Sequence, residues 1–476
     1  MKYMRFHALA LPHTVTSKEY NACAFTQKVF KLCAMLHRRG HTVIHYGHVD
    51  SDVECSENVG ITDNALLLEA YGSYNWRKEF FKHNNGDLAH QTFYKRAIEE
   101  VGKRKQKGDF LLLFWGQRPV MDAHTDLIAV EPGIGCFNRL FAPFNVFESY
   151  AVQNAVYGIM ENKNPNFYDV VIPNYFDPTD FDYREKKDDY FLLLGRIVWL
   201  KGGAIAVDLA KRLGFRLIIA GQGDYEATFN EKPPPNVEVV GYADVAMRRK
   251  LLAGAKALFQ CTLYNEPFGG TTIEAMMSGT PVITTDSGAF PETVIHGVTG
   301  YRCRTMDQFM WAAKNIDKIK PKACREWALA NYSMDRVTHM YEEFFNMCAD
   351  VQKAGFYEMH PEREQLDWMI KKYPSNILEN TCPAIESAIA AVSNPFVPVE
   401  EVKDTKKEEV AAIAAYSVNL NVSTIESGKT DDKHVSFNLP LEPTADIVID
   451  ATNTTPQTAA VPKKQSKKAV AAPVPA

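Results

Sequence analysis

Two carboxylates flank a glycine pair in the stretch NEPFGGTTIEAMMSG, residues 265–279. Glu266 comes before Gly269 and Gly270, and Glu274 follows them inside a predicted short helix. Glycines let a ligand approach the backbone closely, and the first N–H groups of a helix bind anions. We therefore expect an anion site suited to a diphosphate. Glu274 is placed to accept hydrogen bonds from a ribose. Glu266 is placed to accept them from the hydroxyls of whatever group is attached to the distal phosphate.

The same residues have a purely structural interpretation. Thr271 and Glu274 fit the pattern S/T-x-x-E, in which both side chains cap the start of a helix. Glu266 alone is typical of a solvated loop carboxylate, and two glycines alone are typical of a turn. The choice between the two interpretations depends on what else lies near this stretch.

A second group of residues favours the anion site. In LLLGRIVWLKGG, Arg196 and Lys201 directly follow an apolar strand, before the next helix. Open α/β sheets bind ligands at the carboxyl ends of their strands. Arg as a planar fork and Lys as a point charge can neutralise a diphosphate without a metal. Alone, the two cations are equally consistent with an exposed strand end; together with the Glu-Gly-Gly-Glu stretch they indicate a site.

Strands alternate with helices in two series along the chain, which predicts an α/β fold with two Rossmann-like domains. The first series opens with the strand MRFHALAL, the amphipathic helix FTQKVFKLCAMLHRRG and the strand HTVIHYG. The second contains the apolar runs YFLLLG, FRLIIAG, VEVVG, ALFQCT and PVITT. The predicted parts are a first domain at 1–175, a second domain at 176–345, crossover helices at 346–380 and a low-complexity, disordered tail at 381–476.

Four segments in this order resemble the retaining glycosyltransferases of the GT-B fold, in the family-four, or group 1, type. They are the hinge VIPNYFDPTDF, the segment GRIVWLKGG, the strand and turn IIAGQGD, and EPFGGTTIEAMMSGTPVI, which matches the family's E-x7-E signature. The resemblance covers residues 1–350, strongly in the second domain and loosely in the first. It implies two domains facing each other across a cleft, the first binding the acceptor and the second binding a nucleotide sugar.

The resemblance also implies roles for single residues. Arg196 and Lys201 would hold the donor diphosphate and stabilise it as it leaves. Glu266 would lie against the donor sugar, where it binds hydroxyls or steadies positive charge at the anomeric carbon. Arg196, Lys201 and Glu266 are therefore the candidate catalytic residues, and Glu274 would bind the nucleotide ribose.

Backbone amides complete the implied donor site. Those around Gly269, Gly270 and Thr271 would cradle the distal phosphate or the sugar. The chain departs from the family here, because Gly270-Thr271-Thr272 stands where a bulkier apolar residue commonly follows the first glycine. The shape of the sugar pocket is thus not implied by the resemblance.

The first domain contains fewer signals. Where the family has a glycine-rich loop after its first strand, this chain has LPHTVTSKEYNA. His13 and Thr14 would face the cleft from there and contact donor or acceptor sugar, although His13 also fits a plain turn. Arg139 lies in a glycine-containing segment and would meet a phosphate. His90 and His124 have no motif around them and are expected on the surface.

The helices after residue 305 are amphipathic, and the family's chain crosses back to the first domain at this point. Such a crossover would let the cleft close on the donor and exclude water. Glu342, Glu343 and Asp350 are expected on the solvated face of these helices.

The implied activity is transfer of a sugar from a nucleotide-diphosphate sugar to a saccharide, lipid, protein or nucleic acid. Transfer would retain the anomeric configuration and need neither a metal nor another cofactor. One alternative is an epimerase or phosphorylase of the same fold, and another is a catalytically silent nucleotide-sugar-binding scaffold. A third is a glycosyltransferase that grips nucleic acid through the basic run KRKQK at 103–107 and the lysine-rich tail.

Composition limits the cellular setting. The net charge of -5 is small for 476 residues, so no general attraction to nucleic acid or membrane follows. Nine cysteines, an odd number, contain no CxxC pair, which argues against a disulfide framework or a zinc site. Apolar runs such as FLLLFW are far shorter than the roughly 20 residues of a membrane helix. We expect a cytoplasmic protein, soluble or peripheral, without stable membrane insertion.

Overall fold

The computed structural model of the chain describes residues 3–137, 140–162 and 166–354. Arg139, residues 355–380 of the predicted crossover helices and the predicted tail at 381–476 lie outside these ranges. Between Tyr3 and Ala354 the chain forms two parallel β-sheets, each with helices packed against it.

The first sheet has seven parallel strands in the order β3-β2-β1-β4-β5-β6-β7. The central strand β4 reads FLLL and is buried along its whole length, as expected for a parallel strand covered on both faces. The strands are β1 Arg5–Leu9, β2 Thr42–His48, β3 Glu57–Thr62, β4 Phe110–Leu113, β5 Ile128–Ile134, β6 Phe144–Phe147 and β7 Val170–Val171. The helices are α1 Ala24–Arg38, α2 Asn64–Tyr71, α3 Leu88–Arg104, α4 Arg118–Ala123 and α5 Tyr150–Ile159.

The second sheet has six parallel strands in the order β10-β9-β8-β11-β12-β13. They are β8 Phe191–Leu194, β9 Leu217–Ala220, β10 Val237–Gly241, β11 Ala257–Gln260, β12 Val282–Thr285 and β13 Gly300–Cys303. The helices are α6 Gly203–Leu213, α7 Tyr225–Phe229, α8 Val245–Gly254, α9 Gly270–Met277, α10 Phe290–Thr293, α11 Met306–Asn315, α12 Pro321–Tyr332 and α13 Met334–Ala354, with 3-10 turns at Pro178–Asp180, Trp199–Lys201 and Ile316–Lys318. The strand order reverses between β8 and β11, and such a switch point opens a crevice at the carboxyl ends of the strands.

The chain crosses between the sheets at two adjacent points. The N–H of Phe176 donates to the carbonyl of Tyr332 at 2.9 Å, and the N–H of Met334 donates to the carbonyl of Phe176 at 2.9 Å. Beyond this bridge α13 packs Tyr341 and Phe345 into the core of the first domain. The return to the first domain therefore begins at Met334, ahead of the position 346 at which crossover helices were predicted.

Glu342 joins the returning helix to the first domain, and its expected place on a solvated face is wrong. The Glu342 side chain is 4% exposed, and it accepts from Arg39 Nε at 3.0 Å and Nη2 at 3.2 Å. Burial raises the pKa of Glu342, but His339, His41 and Arg39 together lower it well below its ordinary value. Glu343 is also buried, whereas Asp350 is exposed as expected.

Glu342→Gln should lower the free energy of unfolding at pH 7 by roughly 2 kcal/mol, because a charge-assisted pair is lost. A carboxylate whose folded-state pKa is lowered stabilises the protein above its ordinary pKa of 4.5 and loses that contribution as the pH falls. The difference between wild type and variant should therefore shrink below pH 4.5 in urea titrations. Glu99→Gln, at an exposed position, is the matched control. A difference that grows on acidification would contradict the assignment.

Candidate functional site

Two loops meet at the carboxyl ends of the neighbouring strands β8 and β11. The N–H of Leu263 in the second loop donates to the carbonyl of Leu200 in the first at 2.8 Å. Gly202 has φ +68°, and a Cβ atom at this position would lie 1.8 Å from the carbonyl oxygen of Cys261. A larger residue at 202 would push the loops apart. The close approach places the cation at position 201 against the residues that follow β11.

Lys201 and Glu266 form a buried ion pair in this crevice. Lys201 Nζ donates to Glu266 Oε2 at 2.9 Å and to the Tyr264 hydroxyl at 2.6 Å. Glu266 is 7% exposed and also accepts from Thr262 Oγ1 at 3.2 Å. The structure thus brings two predicted site residues together. It also shows that Glu266 is not a solvated loop carboxylate.

The charge of this pair is maintained by its surroundings. Burial lowers the pKa of Lys201, but the Glu266 carboxylate and the Tyr264 hydroxyl raise it more, so the net shift is upward. Burial also raises the pKa of Tyr264. At neutral pH the site therefore holds an ammonium and an uncharged phenol. Tyr264 was missed in the sequence, although its place two residues before Glu266 in the same loop was a usable signal.

Arg196 follows β8, is half-buried, and faces an aromatic ring of the first domain. Its guanidinium carbon lies 5.7 Å from the centroid of the Phe80 ring. Phe80 belongs to residues 73–87, a segment between α2 and α3 without helix or strand, called the cleft loop below. At this distance the cation lies over the ring face, and a guanidinium beside a ring still has N–H donors for an anion.

The cleft loop makes a second contact with the second domain, at the end of strand β9. Gln222, in the GQGD turn after β9, is 7% exposed and donates from Nε2 to the carbonyls of Trp76 and Glu79, the latter at 3.1 Å. These contacts were not predicted. The loop sequence, SYNWRKEFFKHNNGD, combines aromatic and basic residues. This composition was the available signal that the loop contacts the crevice between the domains.

The glycine pair begins helix α9 as predicted from the sequence. Gly269 has φ +77° and Gly270 is the first helical residue. No side chain caps this helix. Thr272 donates two hydrogen bonds to the carbonyl of Gly269, from its N–H at 2.9 Å and from its hydroxyl at 2.6 Å. The first-turn amides of Gly270 and Thr271 therefore keep the role of candidate anion donors.

Glu274 does not belong to a capping box. Thr271 is the second residue of α9 and not its N-cap, so the S/T-x-x-E interpretation is wrong. Arg248 of α8 instead donates to Glu274 Oε2 from Nε at 2.9 Å and also from Nη2. Arg248 was missed because it lies on a different helix, where the run RRK is typical of a solvated face.

The first domain holds the loop before the glycine pair. Ser149 Oγ donates to the carbonyl of Pro267 at 2.5 Å. The N–H groups of Tyr150 and Ala151, at the start of α5, donate to the Glu292 carboxylate at 2.8 Å each. A carboxylate at a helix N-terminus is stabilised by the exposed amides. These contacts bring the first domain directly against the second beside the predicted donor site.

The other predicted residues of the first domain have mixed outcomes. Thr14 is buried and its hydroxyl bonds Thr26 Oγ1 at 2.8 Å, while His13 is buried among aromatic rings. His90 and His124 are buried, so their expected surface position is wrong; His124 Nε2 lies 3.0 Å from the carbonyl of Ile98. Arg139 lies outside the described residues.

The basic run of the first domain is largely neutralised. Lys103 pairs with Glu100 at 2.6 Å, and Lys105 pairs with Asp126 at 2.5 Å. Arg104 between them pairs with Glu57 at 2.8 Å. These pairs weaken the alternative in which this run grips nucleic acid, since three of its four cations already have an acidic neighbour.

The described part of the chain shows neither a metal-binding cluster nor a membrane-spanning helix. Within 3–137, 140–162 and 166–354, no group of three or more His, Cys, Asp or Glu side chains is arranged to hold a metal ion. Over the same part of the chain, no helix is both long and apolar enough to cross a membrane. The eight cysteines described form no disulfide with one another.

Comparison with known proteins agrees with this architecture. Residues 177–327 match the family of glycosyl transferases group 1. An uncharacterized glycosyltransferase of Methanocaldococcus jannaschii is 26% identical over 204 residues, which are 37% of this chain and 50% of that relative. The chain thus spans about half the length of this relative.

Solved structures show the same fold. Sucrose-phosphate synthase of Thermosynechococcus elongatus superposes with a TM-score of 0.56 at 16% identity, over 72% of this chain and 98% of that one. Anabaena HepE in complex with UDP and glucose superposes with a TM-score of 0.53 at 13% identity, over 72% and 100%. The two sheets and these neighbours define the GT-B fold. The family match lies within the second domain, so the resemblance noted in the sequence is confirmed there.

Proposed function

We propose that this protein is a glycosyltransferase that uses a nucleotide-diphosphate sugar, retains the anomeric configuration and needs no metal. The observation that carries the proposal is the buried Lys201–Glu266 pair beside the uncapped start of α9. A crevice at a strand-order switch point, lined by cations and free helix-start amides, suits a diphosphate with a sugar attached.

Positive charge around the leaving group is the main catalytic device in this proposal. When the bond from the anomeric carbon to the diphosphate breaks, negative charge grows on the phosphate oxygens. Arg196, Lys201 and the amides of Gly270 and Thr271 are placed to stabilise that charge without reorganising. The leaving phosphate then takes the proton of the acceptor hydroxyl, so no protein base is required.

Glu266 serves the sugar side of the same bond. Its carboxylate is oriented by Lys201 and Thr262, so it is held rigidly for hydroxyls of the donor sugar. As the anomeric carbon becomes electron-poor, a nearby carboxylate stabilises it. Burial strengthens this interaction, because the electrostatic energy grows as water is excluded.

Glu274 serves the nucleotide. Both hydrogen bonds from Arg248 reach Oε2, which leaves Oε1 to accept from ribose hydroxyls. The UDP and glucose bound to HepE support a nucleotide and a hexose as the ligands of this fold. The acceptor belongs to the classes of saccharide, lipid, protein or nucleic acid.

Thermal-shift titrations of the full chain in EDTA against UDP, GDP, ADP and their common sugars test this function. One nucleotide family should stabilise the protein, by about 2.7 kcal/mol at a ligand concentration of 100 Kd. Incubation with the matching sugar nucleotide should release the nucleoside diphosphate.

The same experiment separates the alternatives. Release of the nucleoside diphosphate only in the presence of orthophosphate would indicate a phosphorylase. A sugar nucleotide whose sugar is epimerised while the nucleoside diphosphate stays attached would indicate an epimerase. Binding without any reaction of the sugar would indicate a scaffold. No stabilisation by any nucleotide, with a well-folded sample, would overturn the proposed donor site.

A further inference from the structure

A cluster of rings lies at the switch point of the first sheet. Its centre is His13, which follows β1 and is 1% exposed. Four ring centroids surround the His13 ring: His83 at 5.0 Å, Phe81 at 5.2 Å, Trp115 at 5.3 Å and His90 at 5.6 Å. These five residues are called the His13 cluster below. The strands β1 and β4, which lead into His13 and Trp115, are neighbours where the strand order reverses.

The His13 cluster contains four buried nitrogen atoms without a hydrogen-bond partner among the described residues. They are His13 Nδ1 and Nε2, His90 Nε2 and Trp115 Nε1. A buried polar group left unsatisfied costs about 1–3 kcal/mol, and native proteins contain few of them. Four such atoms on three touching rings indicate that a polar molecule completes the cluster.

The imidazole of His13 is uncharged at neutral pH. Burial, with His83 and His90 nearby, lowers the pKa of His13 well below its ordinary value. A neutral imidazole has one donor and one acceptor nitrogen, and the indole of Trp115 adds a donor. The cluster therefore offers hydrogen-bond donors, hydrogen-bond acceptors and aromatic faces to a ligand. His13 itself carries no formal charge.

One side of the cluster comes from the cleft loop. Phe81 and His83 cover His13, whereas the adjacent Phe80 packs on Arg196 of the second domain. Because the loop has no helix or strand, its two rings can leave without breaking a backbone ladder. His13, His90 and Trp115, by contrast, are attached to β1, α3 and β4.

We propose that His13, His90 and Trp115 form the acceptor subsite for an uncharged sugar ring, and that Phe81 and His83 occupy this subsite until the cleft loop moves. The inference rests on the proposed function and names its acceptor class. The aromatic faces pack against the C–H face of a sugar, and the four nitrogens bond its hydroxyls, which can both donate and accept. A lipid chain would leave these nitrogens unsatisfied, and an anionic acceptor would find no cation at His13.

Two variants of the full chain test the subsite. Phe81→Ala/His83→Ala removes the two covering rings, and a triple variant adds His13→Phe, which keeps a ring but removes its nitrogens. Methyl α-D-glucopyranoside and methyl α-D-mannopyranoside serve as probes in saturation-transfer NMR, with and without UDP. The double variant should bind at least one glycoside about tenfold more tightly than wild type, and the triple variant should lose that binding.

Two results would overturn the subsite: no glycoside bound by the double variant, or equal binding by the double and triple variants. If the double variant melts early, the same comparison is made between the single variant Phe81→Ala and the variant that combines Phe81→Ala with His13→Phe. The double and triple variants should bind the nucleotide that stabilises wild type with equal affinity, since they differ only at His13, whose neighbouring rings all belong to the first domain. Failure of wild type to bind any of UDP, GDP and ADP would instead count against the proposed donor site, independently of the glycoside result.

Discussion

Arg196→Ala should lower the rate at which nucleoside diphosphate is released from the sugar nucleotide by about 100- to 1,000-fold. Arg196 follows β8 at the switch point, and its guanidinium lies over the Phe80 ring of the cleft loop. A charge-assisted contact to the leaving phosphate is stronger in the transition state than in the ground state, so its loss lowers kcat more than donor affinity.

The matched control is Arg216→Ala in the same domain. Arg216 is an exposed arginine paired with Glu238 at 2.6 Å, and such surface pairs contribute about 1 kcal/mol or less. Its release rate should equal that of wild type. If Arg196→Ala keeps the wild-type melting temperature and the wild-type release rate, Arg196 does not act on the leaving group.

Glu266→Gln should also reduce release about 100-fold, and it should lower the free energy of unfolding by roughly 1.5–3 kcal/mol. The amide keeps the size of the side chain but removes the charge that faces the anomeric carbon and pairs with Lys201. The amide oxygen can still accept from Lys201, but the carboxylate charge is gone, and a largely buried cation without a counter-charge is costly.

The matched control is Glu231→Gln, which makes the same chemical change in a surface pair of the same domain, with Lys211. The difference between the two variants is then due to the position of Glu266 in the crevice. Calorimetry of UDP binding, melting temperature and release rate should be measured on both variants. Glu266→Gln with lowered stability but normal release would make Glu266 a structural partner of Lys201 and exclude it from the chemistry.

Local patterns in the sequence were sufficient for the fold class, and they supplied the candidate donor-site residues that remain predictions. Apolar runs such as FLLL at β4 and β8 predict buried parallel strands, because a strand covered on both faces is apolar throughout. The segments GRIVWLKGG and EPFGGTTIEAMMSG predicted cations and carboxylates at strand ends. The match of residues 177–327 to the glycosyl transferases group 1 confirms that resemblance.

The partners of those residues depended on contacts that sequence spacing does not encode. Lys201 and Glu266 are 65 residues apart and meet because β8 and β11 are neighbours in the sheet. Glu274 fitted a local capping box, but the tertiary structure pairs it with Arg248 on another helix. A distant guanidinium outcompetes a local cap when folding places it within hydrogen-bond distance of the carboxylate.

The sequence by itself thus determined an α/β protein with two Rossmann-like domains, because the strands and helices follow from short-range periodicity, and its local chemistry predicted a diphosphate site at the strand ends. Only the tertiary structure decided the environment of the histidines. His90 has no motif around it, and His13 fitted a plain turn as well as a cleft position, yet segments after β1, after β4 and before α3 converge to bury both. Burial is a property of the whole packed chain, and it alone turned these side chains into a candidate subsite.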